Sequence, residues 1–257
     1  MSQAVFGAGL MWGTQLADAL GNPVANPTPI LFGTLQDASV EVSFDHKMLY
    51  GSDSQYPKFV GRGKGKVSGK AKFGTIKGSI FASLFFGQSS NSGIQAINYD
   101  TVGAAIPTTP FQIIVVPPTS GVFQSDLGVI YKSTGMPLTR VAASPVTGQY
   151  TVNSGTGTYL FAAADTALVV FINYSYTATS TTAQKQTVIS QPMGSAPTFR
   201  MDLYLPYAGK NFVLTLNSCI ASKLSMSTKL DEYMIPEMDF EGFQDSSGNV
   251  MSWSTSE

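Results

Sequence analysis

GRGKGKVSGKAKFGTIK, residues 61–77, places six cations in seventeen residues of a chain with only fifteen Lys and Arg. Three readings compete for it: a phosphate cradle, a nucleic-acid-binding strip, or one face of a strand meant to meet an acidic partner. Spacing removes the first. A phosphate loop, Gly-x-x-x-x-Gly-Lys-Ser/Thr, needs a hydroxyl after its lysine, yet Lys66 is followed by Val67 and Lys70 by Ala71. Gly-x-Gly-x-x-Gly is matched neither at Gly61 nor at Gly63. Parity is strict instead. Arg62, Lys64, Lys66, Lys70 and Lys72 alternate with Gly61, Gly63, Gly65, Val67, Gly69, Ala71 and Phe73. A period of two is that of a strand. This one has a basic face and a face nearly bare of side chains.

The totals weaken the second reading. Net charge is −1, the isoelectric point is about 5.8, and charged residues make up 12% of the chain. A nucleic-acid-binding domain usually has a high isoelectric point, so the strip is a local feature of a near-neutral molecule. A chain of 257 residues is one large all-β domain or a domain with an inserted module, and buries about 70–75% of its unfolded surface without staples. Cys219 and His46 are the only residues of their kinds, which excludes an internal disulfide framework and a Cys/His zinc cluster. Residues 1–17 lack a cationic start and are broken by Gly7, Gly9 and Gly13, and no apolar run approaches the ~20 residues of a membrane span. The expectation is a soluble protein made in a reducing cytoplasm.

Working outward, DASVEVSF (37–44) alternates Ala38, Val40, Val42 and Phe44 with polar residues, as in a half-buried strand. Residues 47–59 read as a polar loop punctuated by Gly and Pro, long for a hairpin. Ile76, Ile80 and Leu84, with Phe81 and Phe85 beside them, predict one short α-helix near 75–86, with Gly87 placed to cap it. Residues 88–110 read as a loop. FQIIVV (111–116), GQYTVNS (148–154), TYLFAA (158–163) and ALVVFINYSY (167–176) read as strands. So do FRMDLYL (199–205), FVLTLNSCI (212–220) and SKLSMS (222–227), joined by short turns. PEMDFEGFQD then alternates Glu237, Asp239 and Glu241 with Met238 and Phe240 before the turn SSGN (246–249). On this reading the last strand of the sequence has an acidic face, a counterpart for the basic one.

Residues 1–35 form an apolar arm broken by Pro23, Pro27 and Pro29. Left free, it would expose Phe6, Leu10, Met11 and Trp12, so it is expected to lie against its own domain or against a neighbouring subunit. Catalytic chemistry does not assemble. Nucleophilic catalysis needs a base beside its nucleophile, and His46, the sole imidazole, flanks a strand end as a structural histidine does; Glu237, Asp239 and Glu241 sit in a row on one strand face, as cation-paired acids do. DSSGN (245–249) lacks the ligand spacing of a calcium loop, and Cys219 lies in an apolar run as a small core residue. No enzyme, cofactor or metal site is expected.

LYGSDSQYP (49–57), the basic strand GKVSGKAKF (65–73) and a helix ending in LFFG (84–87) together resemble the N-terminal half of phage tail tube (major tail) proteins. LTLNSCIASKLSMSTKLDEYMIPEMDFEGFQDSSGNVMSWS (214–254) resembles their closing strands, and GQYTVNSGTGTYLFAAADTALVVFINYSYT (148–177) resembles a segment common in phage structural proteins. The likeness covers most of residues 36–90 and 105–257. It implies a β-sandwich or barrel with one helix, six copies per ring and about four strands per copy in a continuous inner barrel. About 24 strands at ~4.8 Å spacing, tilted ~40°, enclose a channel about 38 Å wide once side chains are subtracted, enough for duplex DNA.

The implied organisation is an arm (1–35), a tube-forming core (36–104 and 191–257) and an inserted module (105–190) decorating the outside. The implied partners are further copies of the chain in homohexameric rings, tape measure, terminator and baseplate proteins, and DNA in transit. The implied place is the virion tail. Candidate interface residues are Phe6, Leu10, Trp12, Tyr50, Tyr56, Arg62, Lys64, Lys66, Lys70, Lys72, Glu237, Asp239 and Glu241, with Asp231 as a further acid for the basic strand. Another phage structural protein (a tail terminator, baseplate hub or capsid decoration) and a non-catalytic β-sandwich binding module remain the alternatives.

Overall fold

The computed structural model describes residue 4 and residues 6–256. About 52% of the chain is strand and 6% helical, so the fold is all-β dominated. The chain divides into two compact units, Met1–Ser90 with Gln186–Glu257, and Asn91–Lys185.

The first unit is built on one eight-stranded sheet. Its strands are β1 (Leu10–Ala17), β2 (Ile30–Leu31), β3 (Leu35–Tyr50), β4 (Pro57–Phe73), β5 (Thr198–Tyr207), β6 (Lys210–Ser225), β7 (Glu237–Phe243) and β8 (Met251–Thr255). They lie side by side as β2-β1-β5-β6-β7-β4-β3, with β8 also on β6, and every pair is antiparallel. One face is apolar. Met11, Met201, Leu216, Met238, Phe240, Ala71 and Phe73 bury into a single core with Phe32, Ile80 and Leu84. The bare face of β4 now has a cause. Gly69 pairs with Phe240, whose ring occupies the space a Cβ would take, and Phe44 lies over Gly65 in the same way. Glycine there lets neighbouring rings cover the strand.

Several expectations are corrected. The α-helix read over 75–86 is a six-residue π-type segment, Ile80–Phe85, in which Phe86 N–H donates to Phe81 O at 3.0 Å. Gly87, at φ 62, ends it. The two runs 212–220 and 222–227 form one strand, β6, because a bulge between Ala221 and Lys223 absorbs the break in alternation. The acidic strand is not the last; β8 follows it. Of the two places open to the arm over 1–35, its own unit holds it from Leu10 onward, since β1 pairs with β5 and both Met11 and Phe32 are fully buried, so neighbouring copies are not what orders it there. The expectation for residues 1–3 and 5 lies outside the described residues.

The second unit holds two four-stranded sheets. Ile94–Asn98, Ala104–Ala105 and Val122–Tyr131 pair with Val169–Ala178; Thr139–Arg140, Gln149–Asn153, Thr158–Phe161 and Gln112–Ile114 form the other. Ile106, Phe123, Tyr150, Tyr159, Val170 and Tyr174 lie in its core. There the side chain of Asp126 accepts the hydroxyls of Tyr150 (2.7 Å) and Tyr159 (3.0 Å). Burial, and then the Asp126 carboxylate, push both tyrosines well above their usual range. Residues 88–110, read as a loop, contribute strands, so the module starts at Asn91 rather than 105 and ends at Lys185 rather than 190. Its ends are adjacent, for Asn91 and Ser92 pair with Lys185 and Gln184.

Candidate assembly surface

The basic and acidic strands are neighbours. β4 lies between β3 and β7, and its register sets Lys72 opposite Glu237 and Lys70 opposite Asp239 on one side, with Asp37 opposite Lys72 on the other. Lys70 Nζ reaches diagonally to Glu237 Oε1 at 2.7 Å and stands 3.9 Å from Asp239 Oδ1. Lys66 pairs with Glu241 at 3.0 Å and Lys72 with Glu237 at 3.7 Å. Lys223 of β6 closes on Glu237 and Asp239 from the far side, at 4.0 and 3.9 Å.

The charges shift one another. The Lys70 hydrogen bond, and then the charges of Lys70, Lys72 and Lys223, hold the Glu237 carboxyl below the usual carboxylate range. The same hydrogen bond, and then the charges of Glu237, Asp239 and Asp37, raise the Lys70 ammonium. All these groups keep contact with solvent, so the ladder fixes strand register and charge balance more than it adds stability. Asp231 stays apart from this ladder. It sits in the β6–β7 loop at φ 64, and no ion pair joins it to β4 among the described residues.

Arg62 and Lys64 lie on a different structure. Residues 47–59, read as a loop, continue the β3–β4 ladder through Met48↔Val60, Leu49↔Phe59 and Tyr50↔Pro57, leaving a turn of only 51–56. Pro57 is tolerated as the first residue of its strand. β7 stops pairing with β4 at Val67, so the remaining ten residues of β4 run on with β3 as a two-stranded ribbon about 33 Å long. Arg62 stacks its guanidinium 4.2 Å from the Phe44 ring near the root of this ribbon.

Directly opposed residues share a face of a ladder. Met48 with Val60 therefore marks one face and Leu49 with Phe59 the other. These four side chains are 54%, 58%, 62% and 70% exposed. The tip is apolar on both faces and covered on neither. Tyr50 precedes the turn and Tyr56 is its last residue, both also exposed. Sequence reading missed the ribbon because Ser, Asp, Gly and Pro dominate its turn; Lys47–Tyr50 and Phe59–Val60 were the signal that strands continued.

The remaining predicted residues are scattered. Phe6 is exposed, its ring 6.1 Å from that of Tyr207. Leu10 opens β1, and Trp12 is half-buried opposite Asp202 and Leu31. His46 is exposed on the ribbon opposite Arg62. Cys219 is fully buried, and burial pushes its thiol up to about 12. Among the described residues no three His, Cys, Asp or Glu side chains stand at metal-binding spacing, and no helix is long and apolar enough to cross a membrane. No known family model matches the chain, and no curated protein matches its sequence.

Proposed function

We propose that the protein is a non-catalytic structural subunit of a phage virion, a tail tube protein whose copies close into six-membered rings and stack into a DNA conduit. The ribbon carries this reading. A two-stranded hairpin is marginal in water by itself, and this one projects apolar pairs from both faces, so its stable state is one in which other protein covers it. The outer edge of β3, sixteen residues long, is also unpaired among the described residues. Such an edge invites strand pairing between copies, which closure into a ring would satisfy.

The polar face of the sheet suits a conduit. Lys66, Lys70, Lys72 and Lys223 each meet a carboxylate of β7, and cations already paired offer little to passing phosphates. Tape measure, terminator and baseplate proteins would cap such a tube in the virion, and the Asn91–Lys185 module would decorate its outside.

Purified protein, concentrated stepwise and viewed by negative-stain microscopy, tests the reading. Rings with six-fold symmetry or tubes are expected; a chain that stays monomeric at every concentration and salt overturns it.

A further inference from the structure

The ribbon has a candidate receptor within the same chain type. The loop 226–236 between β6 and β7 exposes Leu230 at 91% and Tyr233 at 93%, the two largest exposures of big apolar side chains in the unit apart from Met193. Lys229 and Glu232 pin the loop across its base, through a 2.9 Å ion pair and a bridge, and Asp231 turns it through a left-handed backbone conformation. Its position matters most. The β4–β7 ladder has the ribbon at its Val67–Gly242 end and this loop at its Lys72–Glu237 end, where Phe73 N–H donates to Pro236 O at 3.1 Å. Two uncovered apolar elements thus stand at opposite ends of one ladder about 20 Å long.

Their charges are opposite as well. From 45 to 64 the ribbon carries Lys47, Lys58, Arg62 and Lys64 against Asp45 and Asp53, a net +2. The loop carries Lys229 against Asp231 and Glu232, a net −1. Like ends repel mildly and unlike ends attract, which favours a head-to-tail order over a two-fold one.

We propose that loop 226–236 of one copy is the docking site for the ribbon of the next, with Leu230 and Tyr233 covering one of its two apolar faces. This rests on the self-assembly reading above and names its axial contact. The joint is heterologous: each copy offers a ribbon at one end and a receptor at the other, so it propagates along the ladder direction without closing. Lateral pairing of strand edges is a separate contact, and the two together would give a tube.

Cross-linking separates the possibilities. Full-length Leu49→Cys and Met48→Cys proteins, which probe opposite ribbon faces, are each mixed with Leu230→Cys protein and treated with a short bismaleimide. All three positions are solvent-exposed, so the substitutions leave the core intact, and the buried native Cys219 does not compete. The expected result is a covalent mixed dimer between position 230 and one of the two ribbon positions, forming only under assembling conditions. Leu230→Asp with Tyr233→Asp should raise the concentration needed for assembly at least tenfold while the circular dichroism spectrum stays unchanged. Tubes that form without any ribbon–loop cross-link, or that survive the double aspartate change, overturn this docking and leave the self-assembly reading standing. A chain that never assembles overturns both.

Discussion

Lys70 binds Glu237 rather than the residue it faces. In the ladder Lys70 stands opposite Asp239, yet its ammonium lies 2.7 Å from Glu237 and 3.9 Å from Asp239. The diagonal follows from reach: a lysine stem spans the two-residue offset and leaves Asp239 to be shared with Lys223. One cation thereby serves two carboxylates, and the strip is a network rather than a row of independent pairs.

The pH dependence of that network has a definite sign. Glu237 is depressed in the folded state, so its contribution is present above the unfolded carboxyl value of about 4.3 and disappears as pH falls through the folded value. Lys70 is raised, so its contribution is complete below the unfolded value of about 10.4 and disappears as pH rises through the folded one. The stability difference between wild type and Lys70→Met should be largest between those limits and shrink toward both. It should also shrink in 1 M salt, where the screening length falls from about 10 Å to about 3 Å. Urea titrations across pH and salt measure it; a difference that persists unchanged at pH 2 would show that Lys70 acts through packing instead.

Gly69 tests the packing of the bare face. A methyl group there would enter the Phe240 ring and crowd Ser39 O, and both strands flanking β4 hold it in register. Gly69→Ala should therefore destabilise by about 1–3 kcal/mol, the usual cost of overpacking a core. Pairing it with Phe240→Leu should recover part of the loss, because the smaller side chain vacates the collision. A denaturation midpoint equal to wild type for the single change would mean that the ring moves aside freely.

The alternations at 37–44 and 61–73 made β3 and β4 legible, since a period of two survives any partner. Other features depend on what the sequence does not display. The four-residue spacing of Ile80 and Leu84 suits either an α turn or the wider π turn, and only the Phe86–Phe81 hydrogen bond separates them. Ile94–Asn98 looked like loop because its neighbours are Ser, Asn and Gly; Val169–Ala178 supplies the pairing that makes it a strand. Met11 and Phe32 read as a proline-broken tail, yet their burial depends on β5 and β4, which are distant in sequence. The charge partners were legible because both strands alternate. The ribbon was not, because its turn residues masked the strands on either side.

The second unit should come out cleanly. Its first and last residues, Asn91 and Lys185, are cross-strand partners. On the first unit's side of the break, Gln88 clasps Ile189 through both amide atoms: Nε2 donates to the carbonyl at 2.8 Å, and Oε1 accepts the N–H at 3.1 Å. Replacing 91–185 by a short Gly-Ser linker should leave the eight-stranded sheet folded, and 91–185 alone should fold on its own core. Loss of cooperative thermal unfolding in the shortened protein would show that the two parts are not independent.

Shortening the ribbon separates stability from assembly. Residues 48–60 bury no core side chain, and Lys47 and Gly61 face each other across the ladder. Replacing 48–60 by Asn-Gly, a two-residue turn matched to strand twist, keeps the ladder below that point with its Arg62–Phe44 stacking. The shortened chain loses Met48, Leu49, Tyr50, Tyr56, Phe59 and Val60, all largely exposed, so its melting temperature as a dilute monomer should change by no more than about a degree or two. Its growth into tubes should fail, because the surface that would bind the next copy along the axis is gone. Light scattering against concentration, beside calorimetry on dilute samples, reads both quantities. A large drop in melting temperature would make the ribbon part of the subunit's own fold, and growth at the wild-type concentration would remove it from the assembly contact altogether.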